Sequence, residues 1–351
     1  MQVLKKNYIN YIAILAFFFL LTAGCGRTGG DKTPTAETPV LTPSEQSEPA
    51  IEELMVKNPL TGLGMDKDRG GRRPLAVMIE NETSARPQSG LNKADVVYEA
   101  LAEGGITRFL AVYLGEDAGE IGPVRSARPY FIDFAMEYDP VYVHYGASQS
   151  AYSDLQKNRN IHAIDGIYDR VTFWRDKTRK APHNAYTSTE NILETAQKRG
   201  YLKPIDLKRW EFNEGGDSLP GESLKEFELV YFKNYTVKYV YDEDKEAYVR
   251  YINEKPHTDR KTGDPIVVKN IILQFMDTRV IDSEGRLAIK TTGSGTGYYI
   301  SNGSYTRIKW QKPGRFEKTE YTVEGGGQLK LNPGNTWIQI LPSQDKFKIS
   351  D

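Results

Sequence analysis

The sequence predicts a mixed α+β / α/β fold, with an N-terminal α/β domain followed by a smaller β-rich domain. Three observations carry that expectation. Short apolar runs of strand length alternate with helix-period segments up to about residue 200. From Phe227 onward apolar residues recur at period two, with Asp- or Gly-bearing turns between the runs. Aromatic residues make up 11% of the 351 residues, 22 of them tyrosine, which suits pleated, half-buried surfaces.

Residues 1–24 read as a secretory signal peptide. Lys5 and Lys6 are followed by an apolar run from Tyr11 to Leu21 and then by Ala23 and Gly24. That run is shorter than the ~20 residues a bilayer core requires. Leu21-Thr22-Ala23-Gly24-Cys25 resembles the lipobox of bacterial lipoproteins, with Thr22 where an aliphatic residue is more usual. The resemblance implies cleavage before Cys25, a diacylglycerol on its thiol, and attachment to the outer face of the cytoplasmic membrane. Two acyl chains at ~0.8 kcal/mol per buried CH₂ make a durable anchor. Cys25 is the only cysteine, so no intramolecular disulfide is available. Residues 25–57 are mainly Thr, Pro, Ser, Gly and Glu, a composition that cannot offset the entropy of ordering, and they form a flexible tether.

In residues 58–205, the runs 73–79, 95–98, 108–114 and 141–144 predict strands. Residues 130–137 place apolar side chains at helical spacing, and Asp139-Pro140 ends that helix. A second helix is expected near 150–157. A third opens at Ser188 or Thr189 and closes on Lys198, Arg199 and Gly200. Residues 206–351 begin polar and then turn to strands. The runs 235–241 and 247–252 form a hairpin, and Asn302-Gly303 supplies a two-residue turn between two later strands.

The chain carries 46 Lys+Arg against 47 Asp+Glu, a balance that gives no global attraction to nucleic acid. Basic residues are nevertheless concentrated in three loops of the first domain. These are Gly104 to Arg108, Ile121 to Arg128, and Phe173 to Ser188. Arg108, Arg125, Ser126, Arg128, His144, Arg175, Arg179, His183 and Asn184 are the expected lining of an anion pocket. Guanidinium groups offer a rigid fork to carboxylate or phosphate oxygens. Against this stands the reading that the arginines pair with nearby carboxylates such as Glu99, Glu103 and Asp133. Ser126, Ser148 and Ser188 read as helix caps or turn residues rather than nucleophiles. The four histidines lack metal-ligand spacing, so no metal or other cofactor is expected. Thr291 to Gly297 reads as a glycine-rich connection between strands rather than a phosphate loop.

Residues 105–109, 122–128 and 179–184 together resemble the YerB-like lipoproteins, the uncharacterised DUF3048 family of Gram-positive bacteria. His257 to Gly263 and Gly293 to Gly295 resemble that family's C-terminal domain. The resemblance implies two domains and a lipid anchor, and it implies no reaction. Two functions follow as expectations. The first is a non-catalytic envelope protein that binds an anionic wall component or an envelope protein. The second is an enzyme acting on a phosphate-linked glycan or lipid, with Asp165 or Asp176 as base. It is prompted by residues 123–128, which are similar to the arginine-bearing strand of LytR-CpsA-Psr ligases. Convergence of Arg125 and His183 in one pocket favours the enzyme, and a broad groove favours the binder.

Overall fold

A computed structural model describes residues 55–207, 210–214 and 221–349. The signal peptide, Cys25 and nearly all of the tether lie outside the described residues. The last three tether residues are an exception: Met55–Lys57 form a strand antiparallel to Gly64–Asp66. Among the described residues, no helix is long and apolar enough to cross a membrane.

Strands dominate. The first half contributes β1 (Leu75–Glu80), β2 (Val96–Leu101), β3 (Thr107–Tyr113), β4 (Val141–His144) and β5 (His162–Asp165). Its helices are short: α1 (Pro129–Ala135), α2 (Gln149–Lys157) and α3 (Thr189–Lys198). Pro129 opens α1, where its missing N–H leaves nothing unsatisfied. Ser148 and Ser188 accept hydrogen bonds from Ala151 N and Asn191 N, so both are the helix caps expected of them. Ser126 is not a cap, because its hydroxyl donates to Tyr145 O.

The second half contributes β6 (Glu226–Phe232), β7 (Tyr235–Asp242), β8 (Ala247–Ile252), β9 (Asn270–Phe275), β10 (Gly293–Ser301), β11 (Ser304–Lys312) and β12 (Thr336–Leu341). The expected turns are present. Asn302 and Gly303 both adopt positive φ between β10 and β11, as a type I′ hairpin requires. The glycine-rich run after Thr291 is the start of β10.

The two halves share one sheet. Its 11 strands run β11-β10-β9-β12-β2-β3-β1-β4-β5, with Glu222–Ser223 and Glu320–Val323 both paired to β11. Near the chain's C-terminus, β12 lies parallel between β9 and β2. β1 is buried along its whole length, with Leu75, Val77 and Ile79 in one core and Ala76 and Met78 in the other. That two-faced burial explains a continuous apolar run instead of an alternating one. Helix α3 and the second sheet, built on β6, β7 and β8, pack into the first core. Helices α1 and α2 pack into the second.

A buried polar network ties the second sheet to the first. Arg250 on β8 donates through Nη2 to Glu99 Oε2 (2.7 Å), and both side chains are fully buried. Tyr235 OH donates to Glu99 Oε1 (2.6 Å), and Arg250 Nη1 meets His257 Nδ1 (2.6 Å). His257 Nε2 meets Gln88 Oε1 (2.8 Å). Burial disfavours the Arg250 cation, but Glu99 together with Tyr235 and Tyr239 more than offsets it and moves its pKa upward. Burial, reinforced by the Arg250 charge, pushes the His257 pKa well below its ordinary value. His257 is therefore neutral, accepting from Arg250 at Nδ1 and donating from Nε2.

Candidate functional site

Strands β1, β4 and β5 are parallel, so their carboxyl ends at Glu80, His144 and Asp165 share one edge of the sheet. The antiparallel β3 brings its first residues, including Arg108, to the same edge. Crevices outside strand carboxyl ends are where open sheets collect ligands. Residues 121–128 cross this edge as an irregular strand. Arg125 N donates to Met78 O (2.9 Å), Tyr145 N donates to Arg125 O (3.0 Å), and Val124 N donates to Ala185 O (2.7 Å). Gly122 is required there, because a Cβ would come within 2.8 Å of the Tyr186 ring and 2.9 Å of Ala185 O.

Arg125 and His183 converge on one carboxylate. Arg125 Nε is in ion-pair contact with Glu80, which is almost fully buried. His183 Nδ1 lies 3.6 Å from Glu80 Oε2, and His183 Nε2 lies 3.7 Å from Glu82 Oε2. The terminal nitrogens of Arg125 make no hydrogen bond among the described residues, and its side chain is partly exposed. Beside Glu82, a hollow of about 200 Å³ opens between Arg86, Gly105, Phe232, Asn234 and Tyr235. Arg86 lies over the Tyr235 ring at 4.8 Å.

The other expected residues are differently engaged. Arg128 clamps Glu103, with Nη2 2.9 Å from Oε2 and Nε against the second oxygen. Burial works to raise the Glu103 pKa, yet Arg128 and Arg108 together hold it below the usual carboxylate value. Arg108 is buried, donates to Ser126 O (2.9 Å) and reaches Glu103 (3.4 Å). Burial lowers its pKa, and the neighbouring Arg128 adds to that. For Arg108 and Arg128 the ion-pair reading describes their contacts. Their main carboxylate is Glu103, whereas Glu99 is taken by Arg250 and Asp133 by Arg315.

His144 is buried. Its Nδ1–H donates to Gly146 O (2.9 Å), Asp165 Oδ1 lies 3.8 Å away, and Nε2 has no hydrogen-bond partner among the described residues. Burial lowers its pKa despite Asp165. Arg175 donates to Asn184 Oδ1 (2.8 Å) and stacks over Tyr145 at 4.4 Å. Arg179 donates to the carbonyls of Ser84 (3.2 Å) and Pro87 (2.6 Å), pinning one loop to another.

Asp176, expected as a base, is an unsuitable one. Hydrogen bonds from Thr178, and then Arg260, lower its pKa to about 2. Asp165 accepts from Gly146 N, Ile167 N and Tyr152 OH, so its oxygens are committed to holding loops. The carboxylates beside His183 are instead Glu80 and Glu82, which sequence reading passed over. The available signal was an acidic residue ending a wholly apolar strand, Leu75 to Glu80. Among the described residues, no group of three or more His, Cys, Asp or Glu side chains is placed to hold a metal ion.

Comparison places this two-part chain in a family of protein of unknown function. Residues 60–202 match the DUF3048 N-terminal domain and residues 227–338 match its C-terminal domain, so the chain belongs to that family. A relative of known name is YerB of Bacillus subtilis (strain 168), described as a candidate lipoprotein. It is 37% identical over 299 residues, covering 84% of this chain and 89% of the relative. The crystal structure of the YerB protein superposes with a TM-score of 0.77 at 36% identity, covering 84% of this chain and all of the crystallised one.

Proposed function

We propose that this protein is a lipid-anchored envelope protein whose folded region binds an anionic envelope component, or an acidic envelope partner, in a cleft at the strand ends, against the outer nitrogens of Arg125 beside His183. The observation that carries the reading is Arg125. Its Nε faces Glu80, its terminal nitrogens are uncommitted among the described residues, and His183 flanks the same carboxylate. A guanidinium fixed at one nitrogen keeps its outer donors aimed, which is the arrangement that recognises carboxylate or phosphate oxygens. Anchoring rests on Cys25 and on the description of the B. subtilis relative as a lipoprotein. A diacylglycerol on Cys25 would hold the folded region at the outer face of the cytoplasmic membrane.

One observation favours a second reading, an enzyme acting on a phosphate-linked glycan or lipid. Arg125 and His183 meet at a single buried carboxylate, so a cation for a phosphate and a proton carrier stand together.

The test is a thermal-shift survey of residues 48–351, a compact unit of the chain, against wall fragments, polyprenyl-pyrophosphate analogues and nucleotides. Ligand at ~100 times its Kd stabilises by ~2.7 kcal/mol. A shift that disappears in Arg125→Ala supports the cleft. A shift that survives both Arg125→Ala and His183→Ala removes the cleft from the account. Product release that stops in His183→Ala would select the enzymatic reading.

A further inference from the structure

Nine large apolar side chains are prominently exposed among the described residues, and three of them fall within five positions. Ile167 is 49% exposed, Tyr168 81% and Val171 75%. They sit on the loop that leaves the carboxyl end of β5. The loop is fastened from beneath. Gly166 N donates to His144 O (2.9 Å) and Ile167 N donates to Asp165 Oδ1 (2.9 Å). Val171 N and Thr172 N donate to Asp169 Oδ1 at 3.0 and 2.9 Å. The apolar side chains are thus presented outward on a braced backbone, which limits the ordering cost of any contact they make.

The charges around them are one-sided. Arg170, Lys177 and Lys180 are exposed, and their side chains have no hydrogen-bond or ion-pair partner among the described residues. The acidic residues of the same stretch are occupied: Asp169 pairs with Arg199, and Asp176 pairs with Arg260. The stretch from 167 to 180 therefore combines protruding apolar groups with uncompensated cations. Apolar groups that enter the headgroup layer and cations that meet anionic lipid are the two forces that hold a segment in a membrane interface. The surface also adjoins the cleft, since Arg175 stacks on Tyr145, whose N–H donates to Arg125 O.

We propose that residues 166–180 are a bilayer-contact surface. Ile167, Tyr168 and Val171 enter the headgroup layer while Arg170, Lys177 and Lys180 meet anionic lipid headgroups. The inference rests on the reading that the chain works at a membrane, and it is independent of what fills the cleft.

The experiment is co-sedimentation of residues 48–351, which lack Cys25 and so carry no lipid. One set of vesicles contains phosphatidylglycerol with phosphatidylcholine, and the other contains phosphatidylcholine alone. Binding to the mixed vesicles and not to the neutral ones is expected, weakening with salt. Replacing Ile167, Tyr168 and Val171 with Ser should weaken it about tenfold or more, with unchanged thermal stability because these side chains are exposed. Replacing Arg170, Lys177 and Lys180 with Ser should weaken it about a hundredfold, from ~1 kcal/mol per charge near the surface. Failure of the wild type to bind the mixed vesicles overturns the inference, and so does undiminished binding by the serine variants. Neither result touches the cleft. Binding lost only in Arg125→Ala would likewise overturn the loop surface while supporting a lipid headgroup in the cleft.

Discussion

His257 and His144 are buried and held neutral by different surroundings. Around His257, burial acts together with the Arg250 cation. Around His144, burial acts against Asp165. Both have folded pKa values below the ~6.5 of an unfolded histidine. Above that pH both states leave the ring neutral, and the full stability is present. As pH falls below ~6.5 the unfolded chain takes up the proton and the folded chain does not, so stability declines until the lowered folded value is reached. Each ring contributes a slope of up to ~1.4 kcal/mol per pH unit. Denaturant unfolding of residues 48–351 between pH 7 and 5 should therefore show falling stability, and His257→Gln should flatten that slope by about one proton even though the variant is less stable throughout. An unchanged slope would mean that His257 is not the neutral ring its contacts require. At this scale the sequence was only partly informative. The arginine loops were visible because basic residues cluster there. Glu80 was not, because a lone carboxylate at a strand end acquires meaning only when Arg125 and His183, both distant in sequence, fold onto it.

Among the elements, β12 has the greatest consequence for its length. Thr336 to Leu341 are all buried, and the strand bridges β9 and β2, which are themselves far apart in sequence. Ile338→Ala should destabilise by ~2–5 kcal/mol, the usual cost of emptying a packed core site. Ile349, on the strand Phe347–Ile349 that among the described residues pairs with β6 alone, is 45% exposed. Ile349→Ala should stay within ~0.5 kcal/mol. Equal losses at the two positions, measured by denaturant midpoints at constant slope, would show that the central place of β12 does not govern stability. Strand identity was legible here, since Trp337-Ile338-Gln339-Ile340-Leu341 is an evident apolar run. Its neighbours were not. Nothing local in a strand specifies a parallel partner some 240 residues away, and pairing of that kind is decided by the burial of both faces after collapse.

For the whole folded unit, the shared sheet makes independent unfolding of its two sequence regions costly. A fragment ending near residue 205 would leave β2 without β12 and expose a row of unpaired N–H and C=O groups along a central strand. It would also remove Arg250, Tyr231 and Tyr235 from Glu99, opening that buried polar network to water. The family models nonetheless describe the N-terminal and C-terminal parts separately, at 60–202 and 227–338. The two views differ in a measurable way. Residues 48–351 should unfold in one transition, with tryptophan fluorescence and far-ultraviolet circular dichroism coincident, because Trp174 lies in the first region and Trp310 and Trp337 in the second. Residues 58–205 expressed alone should be aggregated or lack a cooperative transition. Two resolved transitions, or a soluble and cooperative N-terminal fragment, would show that the cores are energetically separate despite the continuous sheet. The site proposed at the ends of β1, β4 and β5 would then belong to a domain able to act alone. A single transition instead makes the Arg125 site depend on the C-terminal half, so that Ile338→Ala should lower the ligand-free melting temperature and leave affinity at the cleft unchanged wherever the protein remains folded.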